Sequence, residues 1–145
     1  MNKAFLEFNL HFIGLTQVLL ALSHLTFKKR FNWEREISQL SLLNRQIFYV
    51  HTFFVAFTVF GMGLLGIFVA EQLLIASPLA AFVSGGLLVF WLVRTYCQFF
   101  YYDKRLWVNQ PFRTRIHLLF SISWIWYCAV YGDIFCHQLL CLLRL

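Results

Sequence analysis

The residues through which this chain could do chemistry are few: His24, His51 and His117, Arg94 as the single charge within residues 78–102, and Gln98 four residues after it. Neutral imidazoles can ligate haem iron or other metals and can move protons. A guanidinium can grip a carboxylate or phosphate with two parallel hydrogen bonds. Trp91, Arg94, Gln98 and Tyr101 recur at steps of three and four, so they lie along one face of a helix. These seven residues form the candidate ligand-binding set.

Other chemistries find less support. No His-x3-His, Glu-x2-His or Cys-x2-Cys pair occurs, and Glu34, Glu36 and Asp103 fall between the apolar stretches. The expectation is therefore no metal site and no cofactor, with haem as an alternative; a transmembrane di-haem path would need an outer histidine pair better than His11 and His137. Cys136-His137-x3-Cys141 is a poor metal motif, because buried cysteine usually serves as a small hydrophobe. His117 with Ser121 lacks the carboxylate of a hydrolytic triad. Gly61-Met62-Gly63-Leu64-Leu65-Gly66 matches the dinucleotide fingerprint in letters only, since that motif works between a strand and a helix. Within an apolar helix such glycines serve packing instead.

The elements that position these residues follow from composition. The chain has 145 residues, 61% hydrophobic and only 12% charged, with a mean hydropathy of +0.70. A soluble domain carries about 25% charged residues, so this is an all-α polytopic membrane protein. Residues 47–70 contain no formal charge, and residues 78–102 contain only Arg94; about 20 apolar residues cross a bilayer. Ser77 and Pro78 supply an N-cap and a first helical residue whose missing N–H costs nothing. A third long apolar run covers residues 116–136. Residues 4–25 form a more polar one, with Glu7, Asn9 and His11 where a cleaved signal peptide would be apolar. The expectation is a single domain, residues 1–145, built as a four-helix transmembrane bundle.

Basic residues set its orientation. Nine of the twelve lie in the first and third connections, Lys28, Lys29, Arg30, Arg35 and Arg45 in one and Lys104, Arg105, Arg113 and Arg115 in the other. Only Lys3 and Arg144 fall on the opposite side. Both termini should then face away from the cytoplasm, in a bacterial inner membrane. The net charge of +6 is used by this asymmetry and by anionic headgroups, so nucleic acid is not a partner. Within the first connection, residues 31–44 alternate Phe31, Trp33, Ile37, Leu40 and Leu43 with polar side chains, as in an amphipathic helix at the interface. Residues 134–145 either extend the fourth helix or lie along the surface.

Lipid-facing positions disfavour polar groups, so polar stripes should mark buried faces. The first span offers Glu7, His11, Gly14, Gln17, Ala21 and His24; the second, Asn44, His51 and Thr58. The third offers Ser77, Ala81 and Gly85 ahead of the Arg94 face, and the fourth His117, Ser121, Trp124, Cys128 and Tyr131. At about 1.5 Å of rise per residue, His24, His51, Arg94, Gln98 and His117 all fall toward the cytoplasmic side. Arg94 should be held there by Asp103 or by an anionic ligand.

Asn44-Arg45-Gln46-Ile47-Phe48-Tyr49, Ser77-Pro78-Leu79-Ala80, and Trp91-Leu92-Val93-Arg94 with Gln98 and Tyr101-Tyr102-Asp103 resemble a group of small, uncharacterised four-helix bacterial integral membrane proteins. A weaker, mainly architectural resemblance is to the MAPEG membrane family of glutathione-dependent enzymes. It implies a glutathione site in which Arg94, Tyr101 and the Pro111-Phe112-Arg113 turn take part. Ile47 stands where that family has a glutamate. Three readings stay open: binding of an anionic amphiphile such as a lipid headgroup or quinone-like molecule, or docking of a membrane partner; a MAPEG-like glutathione or lipid transferase; and a b-type haem protein. The residues favour binding over catalysis, membrane lipids are the expected partners, and a homo-oligomer is compatible with the stripes.

Overall fold

The computed structural model describes residues 2–107 and 110–143; Arg144, counted above among the outer bases, lies outside them. The described residues are mostly helical, with no strand among them. Four helices are long and apolar enough to cross a membrane: α1 Lys3–Arg30, α3 Leu42–Phe68, α5 Pro78–Tyr96 with its continuation to Tyr101, and α6 Pro111–Leu143. Two short helices, α2 Trp33–Glu36 and α4 Ala70–Leu74, interrupt the connections. The expected all-α class with four membrane-crossing helices holds. Contacts divide the chain into two compact units, one spanning Phe8–Ala70 and the other joining the start of α1, up to Glu7, with the chain from Glu71 onward.

In the first unit, α1 and α3 meet backbone to backbone. A Cβ placed on Gly14 would lie 2.6 Å from the Gly63 carbonyl oxygen, and one on Gly66 would lie 2.7 Å from that of Leu10. Such proximity requires glycine, and it gives the dispersion contacts that hold helices together where lipid is as apolar as the core. Val59, Gly63 and Gly66 are consequently the buried residues of α3. The polar stripe expected to be inward, Asn44, His51 and Thr58, is exposed. It loses to the glycines because a close crossing selects the face with the least side chain.

Lys28, Lys29 and Arg30 occupy the last turn of α1, where cations offset the carbonyl end of the helix dipole. Asn32 follows at φ 50°, a left-handed conformation that asparagine tolerates. That residue prevents the continuous amphipathic helix expected over residues 31–44. Only one turn, α2, forms, and Ser41 then caps α3 by accepting a hydrogen bond from the Asn44 N–H at 3.4 Å. Trp33 packs edge-on against Phe48, with ring centroids 4.8 Å apart. Beside it Lys28 Nζ lies 2.7 Å from Glu34 Oε1, and this hydrogen bond holds the Glu34 carboxyl below its usual range.

In the second unit, α5 and α6 form an antiparallel pair. Ser77 caps α5 as its sequence implies, accepting from the Ala80 N–H at 3.1 Å with Pro78 at the first turn. Ala80, Ala81, Ser84, Leu87 and Trp91 form the buried face of α5, and Ser121, Trp124, Tyr127, Tyr131, Ile134 and Gln138 that of α6. Gly85 admits the Phe135 ring. Of the two courses open to residues 134–145, the structure takes the first: α6 continues unbroken to Leu143. At the opposite end, α5 widens into a π-helix over Cys97–Tyr101.

Candidate functional site

Arg94, Gln98 and His117 come together at the π-helical end of the α5–α6 pair. Arg94 Nη1 donates to Gln98 Oε1 at 3.2 Å, and the guanidinium carbon lies 3.8 Å from the Trp124 ring centroid. Cation–π contact of this kind supports a charge away from water. Gln98, buried on α5, uses its other amide atom: Nε2 donates to Nδ1 of His117. Because Gln98 Oε1 faces Arg94, its NH2 group must face the imidazole, and an NH2 group can only donate. His117 Nδ1 is thereby the acceptor of this hydrogen bond. Trp107 stacks on His117 with centroids 4.4 Å apart, and Phe99 meets it edge-on at 6.1 Å. Ser121 Oγ returns a hydrogen bond to the His117 carbonyl at 2.8 Å.

Asp103 does not hold Arg94. Its carboxylate accepts the Arg105 N–H at 2.8 Å and sits 4.0 Å from Arg105 Nε, so it serves its own turn. Among the described residues no carboxylate pairs with Arg94. The guanidinium is thus half-buried, held by a neutral amide and an indole face, with N–H donors to spare. Deeper along the pair, Trp91 stacks on Trp124 at 6.4 Å and meets Tyr127 edge-on at 4.7 Å. The indole N–H groups of Trp91 and Trp124 are buried and have no hydrogen-bond partner among the described residues.

Four of the seven sequence-derived residues, Trp91, Arg94, Gln98 and His117, therefore share one neighbourhood. Tyr101 does not join them; it is 81% exposed. The π-helix explains this, because its i to i+5 bonding inserts one residue and turns the following side chains off the α-helical register. Tyr102 takes the expected place, with its ring centroid 5.7 Å from the Arg94 guanidinium. His24 and His51 belong to the other unit, where each bonds through Nδ1 to its own helix, His24 to the Leu20 carbonyl and His51 to that of Ile47, both at 2.9 Å. His51 is exposed.

The sequence reading also passed over Trp107, which lies outside every apolar span and reaches His117 only through the turn after α5. Its one signal was its type, since tryptophan favours the membrane–water boundary. Thr95 Oγ1 with Cys128 Sγ, 3.7 Å apart, is a further α5–α6 contact that spacing did not reveal.

Among the described residues no three His, Cys, Asp or Glu side chains are grouped to hold a metal ion. The Arg94 guanidinium and the His117 imidazole lie on either side of Gln98, flanked by the rings of Trp124 and Trp107, and the guanidinium N–H groups suit an acceptor-rich anionic group. The chain matches no family model, and comparison with curated proteins and with solved structures finds no significant relative.

Proposed function

We propose that this multi-pass membrane protein binds the anionic headgroup of an amphiphile, a lipid or a quinone-like molecule, at Arg94, Gln98 and His117. The observation that carries this reading is a half-buried guanidinium that no carboxylate among the described residues neutralises. A phosphate or carboxylate there would gain charge-assisted hydrogen bonds from Arg94, while Tyr102, Trp107 and Trp124 flank it. The distribution of basic residues supports placing this end on the cytoplasmic side, beside anionic lipid, with both termini opposite.

Arg94→Leu is expected to lower the anionic lipid that co-purifies in detergent by about tenfold, as loss of one charged hydrogen-bonded group implies. Arg94→Lys should restore part of it, since a point charge replaces a planar fork. Tyr101→Phe should leave it unchanged because that phenol points away. Mass spectrometry of bound lipid and quinone, with thermal unfolding as the folding control, reads all three; undiminished ligand in Arg94→Leu would end the proposal. The orientation has its own check. Single cysteines at Glu71 and Lys104 should be labelled by an impermeant maleimide from opposite faces of intact cells, and labelling from one face would contradict it.

A further inference from the structure

At the other end of the α5–α6 unit lies a cleft of about 260 Å³ with Lys3, Asp133 and His137 around it and Leu6, Leu74 and Ile134 between them. Its base is rigid. Gln138, fully buried on α6, donates through Nε2 to the carbonyls of Leu73 at 2.8 Å and Ile75 at 3.2 Å, and accepts from the Ser77 N–H at 3.0 Å. The connection from α4 to α5 is thereby fastened beneath the opening.

The charges around the cleft do not cancel one another. Lys3 pairs with Glu71 at a loose 3.8 Å, both side chains more than half exposed, a contact worth little in water. Asp133, half-buried, forms an ion pair with neither Lys3 nor His137. One carboxylate and one ammonium thus border a small apolar-lined cavity with a gap between them, and an imidazole stands beside them. A lone anion would be repelled by Asp133 and a lone cation by Lys3. A zwitterion whose opposite charges are a few ångströms apart satisfies both.

We propose that this cleft is a binding site for the headgroup of an aminophospholipid, its primary ammonium donating to Asp133 and its phosphate accepting from Lys3 and His137. Depth favours a lipid over a soluble zwitterion. The cleft is bordered by the first residue of α1, the last of α4 and the far part of α6, which places it where the membrane-crossing helices leave the hydrocarbon and headgroups lie. Leu6, Leu74 and Ile134 then meet the glycerol and upper acyl carbons. A trimethylated ammonium has no N–H to give Asp133 and is bulkier, so choline lipids should be discriminated against.

The test uses the full chain in nanodiscs of equal parts phosphatidylethanolamine, phosphatidylcholine and phosphatidylglycerol, followed by mild detergent extraction and mass spectrometry of retained lipid. Wild type should retain phosphatidylethanolamine over phosphatidylcholine by about tenfold, the scale of one charge-assisted hydrogen bond. Asp133→Asn should erase that preference, and Lys3→Gln should lower retention of phosphatidylethanolamine. Gln46→Leu, at an exposed position outside the cleft, should leave the preference intact. An unchanged lipid profile in Asp133→Asn, with the protein still folded by thermal unfolding, would overturn the proposal. Displacement of the lipid by free phosphoethanolamine at comparable concentration would overturn its assignment to a lipid.

Discussion

Gly14→Ala is expected to destabilise the α1–α3 pair by about 1–3 kcal/mol, the range for adding one methyl group to a close-packed contact. The added carbon would stand 2.6 Å from the Gly63 oxygen, 2.9 Å from the Ile67 nitrogen and 3.0 Å from the Gly66 carbonyl carbon. All three are backbone atoms, so no rotamer change can make room and the helices must separate along the crossing. Separation is costly here because packing, with no hydrophobic drive between helices in lipid, is what holds them. Gly61→Ala is the matched control: nothing lies within 4 Å of its added carbon, and alanine is the better helix former by about 1 kcal/mol. Unfolding of the purified protein in mixed micelles under increasing SDS should show an early transition for Gly14→Ala and none for Gly61→Ala. Equal behaviour of the two would refute the close crossing.

Gln138→Leu should be more damaging still. It removes a side chain that satisfies three backbone groups and leaves the Leu73 and Ile75 carbonyls and the Ser77 N–H without it, each at about 1–3 kcal/mol where water is excluded. The loss is expected as a fall in thermal stability together with faster amide exchange at residues 73–77, while Gln46→Leu, at an exposed position, changes neither. Protection of residues 73–77 that survives in Gln138→Leu would show that the connection is held by something other than this amide.

Features that depend on composition or on a single helical turn were legible in the sequence. The four apolar lengths, the Ser77–Pro78 start and the four-residue step from Arg94 to Gln98 all belong to this kind. What escaped depends on contacts between distant residues or on hydrogen bonding that side-chain type does not encode. Nothing in Cys97-Gln98-Phe99-Phe100-Tyr101 announces i to i+5 bonding, so a strict helical period assigned Tyr101 the place that Tyr102 holds. The polar stripe of α3 was a reasonable guide to a buried face, yet Gly63 and Gly66 outweigh it, because the approach of two backbones is set by the smallest residues. Gln138 lay past the expected end of the last span, where the sequence left two courses open, and its partners are more than 60 residues away. Residues 31–44 carry a helical period that one left-handed residue, Asn32, is enough to break.

The unequal reach of α5 and α6 ties this protein to the thickness of its host membrane. With 33 residues α6 rises about 50 Å, whereas the 24 residues of Pro78–Tyr101 rise about 36 Å, against a hydrocarbon slab of about 30 Å. Tilting absorbs only part of that excess. Arg113 and Arg115, in the first turns of α6, resist immersion at one end, so the surplus length emerges at the other, where Asp133 and His137 lie. A thinner bilayer would lift those groups into water and a thicker one would draw them among acyl chains. Hydrophobic mismatch is therefore a physical variable to which this protein is coupled by geometry, independently of any ligand.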